Sequence, residues 1–452
     1  MRLIVPILVT FLLLVGNVVA NGKPNIVLII SDDHAWFDYT FIRPDAPETP
    51  NIDRLAQEGI TFTRGYVPTA LCRASLMTYI TGLYSHQHNT GGNDPNQIAD
   101  KTEYDLRREQ LISHIDHLPT LPKILKEVGY VSFQTGKWWE GNFSRGGFDE
   151  GMTRGFPEPG GRHGDDGLDI GRKTMQPIFD FIDKHIDKNK EQPFFIWYAP
   201  MLPHDPHTPP QELLDKYTAK GYPTARAKYE AMVEFFDQTI GQLVDKLKQS
   251  GVYDNTIIIY AADNGWMPLS PESTPTGWNK AFAPRSKSSP YEGGVRTPMI
   301  FSWAKEYQPR LDDSMLISTI DIVPTILAIA GAKRPEMPTE LALPGLDLTD
   351  FFKTGTPLNR DTIFGEGFGH DIPNVDDAVA GRLYRWCIEG TWKLLLSDPG
   401  DPGTRPDVKY DTDQPQLFDL SVDPAETKNL AAEHSDIVER LKRKIDRWSP
   451  VP

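Results

Sequence analysis

The run Asn25-Ile-Val-Leu-Ile-Ile30, followed by Ser31-Asp32-Asp33, decides the fold. An unbroken apolar stretch rich in β-branched residues reads as a strand buried on both faces, the condition of a parallel strand between helical layers. Working outward, Thr49-Pro50 opens a short helix that Gly59 closes, with proline at the first helical position and glycine just past the end. Leu121 to Gly129 repeats that pattern, and Val131 to Thr135 is the next strand. Pro193-Phe-Phe-Ile-Trp-Tyr198 and Thr256-Ile-Ile-Ile-Tyr260 are two more buried strands. Between them Tyr229, Val233, Phe236, Ile240, Leu243 and Leu247 recur every three or four residues, the spacing of an amphipathic crossover helix. Strands alternating with helices predict an α/β sandwich around a large, mostly parallel central sheet. After a helix at Asp321 to Ala328, the stretch from Gly331 to Pro344 is rich in proline, glycine and charge. A short β-like run at Trp392 to Leu396, a loop from Pro399 to Gln414 and a charged helix from Ile437 to Trp448 then predict a small C-terminal α+β subdomain. The expected division is 1–20, 21–350 and 351–452.

Open α/β sheets bind ligands at the carboxyl ends of their strands. The first strand ends in Asp32-Asp33, and the strand at Thr256 to Tyr260 runs into Asp263-Asn264-Gly265. Each pair alone reads equally as a turn or a helix cap. Together, three carboxylates and an amide form an all-oxygen donor set, which suits Ca²⁺ or Mg²⁺ rather than zinc.

The chain has 452 residues with a formal net charge of −15, which argues against nucleic acid as a partner. An anionic substrate would therefore need positive charge concentrated locally. Met1 to Ala20 combines a basic start at Arg2, an apolar stretch and small residues at its end, the pattern of a secretory signal peptide. This predicts a secreted or periplasmic protein without stable membrane insertion after cleavage. The two cysteines, Cys72 and Cys387, are compatible with a single disulfide, two buried thiols or a chemical role.

Cys72-Arg-Ala-Ser-Leu76, with Thr81-Gly-Leu-Tyr-Ser-His86 behind it, resembles the activation segment of the sulfatase family, within the alkaline phosphatase superfamily. Further matches follow in family order. They are Asn25 to Asp33, Gly136-Lys137-Trp138, Met201 to His207 with His204, Asp263-Asn264-Gly265, and Lys287 to Pro298. Leu417 to Leu430 is similar to the family's C-terminal signature. The resemblance implies an alkaline-phosphatase-like core and a cysteine oxidised to formylglycine by a formylglycine-generating or anaerobic maturation enzyme. Hydration of that aldehyde would supply one hydroxyl to attack sulfur and a second to expel sulfate.

Carried over by position, the resemblance implies a Ca²⁺ or Mg²⁺ site formed by Asp32, Asp33, Asp263, Asn264 and the modified Cys72. It makes Lys137 and Lys287 the sulfate-binding cations and His204 the candidate general acid, with Lys287 as the alternative. Arg73, His163 and His207 are candidate substrate-binding residues, and His86, His88 and His207 either shape a subsite or pack. Two positions depart from the family. Leu76 stands where an arginine is usual, with Arg73 beside the cysteine instead, and Trp139 replaces a histidine for which His163 or His88 could substitute. The implied substrate is a sulfated small molecule or glycan. A phosphomonoesterase or phosphodiesterase on the same fold and a catalytically silent glycan-binding homologue are the alternatives.

Overall fold

The computed structural model describes residues 22–267, 285–338, 341–405 and 413–451. The expected signal peptide lies outside them, as does part of the loop from Pro399 to Gln414. Fifteen strands are described: β1 Asn25–Ser31, β2 Ile60–Tyr66, β3 Asp94–Pro95, β4 Val131–Gly136, β5 Glu150–Gly151, β6 Phe194–Ala199, β7 Thr256–Ala262, β8 Arg296–Ser302, β9 Arg310–Asp312, β10 Ile317–Ser318, β11 Thr362–Phe368, β12 Asp371–Ile372, β13 Arg382–Glu389, β14 Trp392–Ser397 and β15 Gln416–Asp419. The main sheet has the order β10-β2-β8-β7-β1-β6-β4-β5, with β9 also beside β2. Only β8 runs against its neighbours, β2 and β7; the other pairings in this sheet are parallel.

The alternation along β1 explains why both faces are covered. Ile26, Leu28 and Ile30 enter one core with Leu76, Met77 and Ile80, whereas Val27 and Ile29 enter the other with Met232, Phe236 and Ile240. The second set comes from the expected crossover helix, which spans Thr224–Gln249. The first comes from the helix Cys72–Thr81. Helix α1, Pro50–Glu58, begins with proline near its N-terminus and ends at Gly59 as its motif predicts.

The C-terminal unit is an antiparallel sheet, β11-β13-β14-β15. One face packs Ile363, Trp386 and Phe418 against Tyr66 and Tyr291 of the main unit. The other packs Leu394 and Leu417 against Val438, Leu441 and Ile445 of the helix Ser435–Trp448. Both cysteines are buried and free, which removes the disulfide alternative. Among the described residues no helix is long and apolar enough to cross a membrane.

Candidate active site

Four adjacent parallel strands, β7, β1, β6 and β4, deliver their C-terminal residues to one edge. Ser31 pairs with Ala262, and the Asp263 N–H donates to the Ser31 carbonyl at 2.9 Å, so the two acidic pairs emerge side by side. The Asp32 N–H donates to the Leu202 carbonyl at 2.8 Å, which brings the segment after β6, and with it His204, next to the first pair. On the far side the Lys137 N–H donates to the Ala199 carbonyl at 2.7 Å. Gly136 makes that approach possible: its φ is 81°, and a Cβ there would lie 1.9 Å from the Ala199 carbonyl oxygen.

Asp33 adopts a left-handed φ of 58°. An extended backbone would send successive side chains to opposite faces. This conformation instead lets both carboxylates serve the same edge, at the cost of strain that clusters at functional sites.

Cys72 is the first residue of helix α2, Cys72–Thr81, all ten residues of which are buried. Gly82 caps its C-terminus in the left-handed conformation, and the helix N-terminus favours negative charge on groups attached at position 72. The Cys72 Sγ lies 3.0 Å from Lys287 Nζ and 3.9 Å from Asp32 Oδ1. Lys137 Nζ bonds Asp32 at 2.7–2.9 Å, and Lys287 Nζ bonds Asp33. His204 Nε2 stands 3.5 Å from Asp33 Oδ2, while its Nδ1 lies 2.6 Å from the Asp205 carbonyl. Cys72, Lys137, His163, His204 and Lys287 line one cavity of about 270 Å³.

Burial pushes the Cys72 thiol up to about 12 despite Lys137 and Lys287, so the unmodified side chain is a neutral thiol at neutral pH. Burial also raises Asp263, and the Asp32 carboxylate beside it adds to the shift. Asp33 moves the other way: burial works to raise it, but Lys287, His204 and Lys137 together hold it below the usual carboxylate range. Lys287 and Lys137 are themselves raised: burial works to lower both, but their acidic neighbours, led by Asp33 for Lys287 and by Asp32 for Lys137, together outweigh it.

This donor set fits a hard divalent ion. Asp263 Oδ2 and Asn264 Oδ1 are buried without a hydrogen-bond partner among the described residues. Asp263 Oδ1 accepts the Asp33 N–H at 3.0 Å and Asn264 Nδ2 donates to Asp33 Oδ1 at 2.7 Å, so both side chains are held in place while their second oxygens remain available. Asp32, Asp33, Cys72 and His204 can also bring one ligand atom each within 4.8 Å of one another.

The other expected residues divide between the cavity and its surroundings. Arg73 is not among the residues that line the cavity, its Nε and Nη2 bonding Glu140 at 2.7 and 2.6 Å and its Nη1 the Asn93 carbonyl at 3.3 Å. Its guanidinium ties the helix start to Glu140 and Asn93, while Leu76 is part of the apolar core. His163 does line the cavity, and burial, reinforced by Lys137, lowers it to about 3. His88 is buried against Thr78, and His86 is bonded to Glu366 at 2.8 Å, so both pack. The His207 ring packs beside Tyr229 with centroids 5.6 Å apart. The sequence reading missed Asn93, Arg162, His370 and Arg405, which also line the cavity. Only the adjacency of Arg162 to His163 could have signalled any of them.

The sulfatase family model matches residues 24–332. Human N-acetylgalactosamine-6-sulfatase is 26% identical over 471 residues, covering 94% of this chain and 84% of that protein. A solved structure of Ps i-CgsB in complex with k-i-k-neocarrahexaose aligns with TM-score 0.73 and 25% identity, covering 94% of this chain and 93% of the other. A Bacteroides thetaiotaomicron structure, from work on the metabolism of multiple glycosaminoglycans, has TM-score 0.73 at 22% identity, covering 94% and 99%. The order of strand ends, the buried cysteine at a helix start and a family match over more than half of the residues lead to one conclusion: this chain belongs to the sulfatase family, the sulfuric ester hydrolases.

Proposed function

We propose that this sulfatase removes sulfate from carbohydrates outside the cytoplasm, using a formylglycine made from Cys72 and a divalent ion, Ca²⁺ before Mg²⁺. The observation that carries the reading is the placement of Cys72, with its sulfur 3.0 Å from Lys287 at the N-terminus of a buried helix, beside an oxygen-donor set with unpartnered atoms. Asp32, Asp33, Asp263 and Asn264 would hold the ion. When bound, such an ion supplies positive charge to the sulfate oxygens and eases deprotonation of a hydroxyl at position 72. Formylglycine at that position supplies a hydrated aldehyde, with one hydroxyl to attack sulfur and another to release sulfate.

Lys137 and Lys287 are preorganised to bind sulfate oxygens and offset charge in the transition state. His204 presents Nε2 to the cavity while the Asp205 carbonyl fixes the other nitrogen, which suits a donor of a proton to the leaving alcohol. The carbohydrate class is supported by the relatives: one is named for N-acetylgalactosamine, and the 25% identical structure holds a neocarrahexaose. Export through residues 1–20 and prior action of a maturation enzyme complete the proposal.

Mass spectrometry of the Cys72 peptide, from protein coexpressed with a maturation enzyme, is expected to show formylglycine. The same preparation should release sulfate from a panel of sulfated sugars. An intact thiol together with phosphate-ester hydrolysis would overturn the reading in favour of a phosphatase.

A further inference from the structure

We infer that a second cavity, sharing a wall with the catalytic one, binds another anionic group of the same substrate, a sulfate or carboxylate on the sugar, through Arg108 and Arg162. This rests on the carbohydrate sulfate reading above. The second cavity is about 540 Å³, and Arg162, His370 and Arg405 line both. It is built on a contact between distant segments, because β3 and β12 pair Asp94 with Asp371.

The arginines are held in place before any ligand arrives. Arg162 lies over the Trp139 ring at 4.6 Å and bonds Asp94 Oδ2 through Nε at 2.8 Å and through Nη2. Its Nη1 has no hydrogen-bond partner among the described residues. Arg108 Nη2 bonds Asp94 Oδ1 at 3.0 Å and the Tyr104 hydroxyl at 2.8 Å, while its Nε is buried without a partner among the described residues. Trp139, which stands in place of the family's histidine, thus acts as the platform that orients Arg162.

The same wall contains Asp94, His370 and Asp371, which could be read as a metal cluster. The hydrogen bonds favour an anion instead. Both oxygens of Asp94 are taken by guanidinium groups, and Asp371 accepts from Thr404 Oγ1 at 2.8 Å and lies 2.7 Å from His370 Nδ1. A metal would have to displace these partners. Arg108 and Arg162 each keep a guanidinium nitrogen without a hydrogen-bond partner among the described residues, so the wall retains donors for an anion. Arginine forks match sulfate and carboxylate oxygens, and charge-assisted bonds of this kind outweigh neutral ones.

The test is calorimetric titration of Cys72→Ala protein, which cannot turn over, with three disaccharides: monosulfated, disulfated, and monosulfated with a uronate carboxylate. The second anionic group is expected to tighten binding by about tenfold, the effect of one charge-assisted hydrogen bond. The arm that gains more identifies the preferred group. Arg108→Gln in the same background should reduce the gain to about twofold or less, read as a ratio of affinities so that partial unfolding cancels. Equal affinity for all three sugars, no binding of any, or a gain that survives Arg108→Gln overturns the inference. Because binding is measured without turnover, absence of sulfate release by the matured wild type would overturn the sulfatase reading separately.

Discussion

At the junction of the two units, Lys393 is fully buried and lies 2.9 Å from Glu292 and 3.0 Å from Glu426, and Arg296 reaches Glu292 at 3.3 Å. At the strand ends, Asp32, Asp33 and Asp263 are buried with Lys137 and Lys287, and His204 adds positive charge only when protonated. The first set places two cations against two carboxylates. The second places three carboxylates against two ammonium groups, beside a cavity and with donor oxygens unpartnered. Buried charge that is balanced holds parts together, whereas buried charge left in excess at a cleft marks where an ion and an anionic substrate belong.

The comparison can be broken most severely at the junction. Lys393→Met leaves two buried carboxylates without their shared cation and is expected to cost about 3–5 kcal/mol of stability. Denaturant unfolding measures this, and kcat of the remaining folded protein should stay near wild type. A loss under about 1 kcal/mol would mean that the junction charges are as dispensable as surface pairs. Lys287→Ala should act chiefly on the chemistry, lowering kcat by about 10²–10³-fold, with a smaller loss of stability than Lys393→Met because His204 and Lys137 still face Asp33. Steady-state kinetics beside a melting curve checks both halves, and unchanged kinetics would remove Lys287 from the site.

An effect confined to acid comes from His88, which belongs to neither set. Burial lowers it to about 3 from an ordinary 6.5, so the native state favours the neutral ring and the unfolded chain takes up the proton first. Its contribution is complete above pH 6.5 and is lost as pH falls from 6.5 toward 3, by at most about 1.4 kcal/mol per pH unit. Unfolding free energies across that interval should fall less steeply in His88→Asn than in wild type. Parallel slopes would show that His88 does not contribute to acid sensitivity.

Much of the catalytic layer could be read from the chain because its signals are local. The apolar run of β1 announces a doubly covered strand, and Asp32-Asp33 follows it directly. The three- and four-residue spacing marks the helix Thr224–Gln249, and Gly82 marks the end of α2. The direction of β8 was not legible, since a buried strand has the same composition whichever way it runs. The fate of Arg73 was equally hidden: its partner Glu140 is 67 positions away, and an arginine beside a cysteine reads the same whether it faces substrate or a buried carboxylate. The wall of Arg108, Arg162 and Asp94 likewise depends on the pairing of β3 with β12, two-residue strands too short to carry a period.

The excess of buried carboxylate at the strand ends is best tested by titrating metal-stripped protein with Ca²⁺ in a calorimeter. One ion per chain should bind to the wild type, and Asp263→Asn should bind it about tenfold or more weakly, because both ligand charge and ligand number set affinity. Absence of binding to the wild type, or equal affinity in Asp263→Asn, would contradict the account.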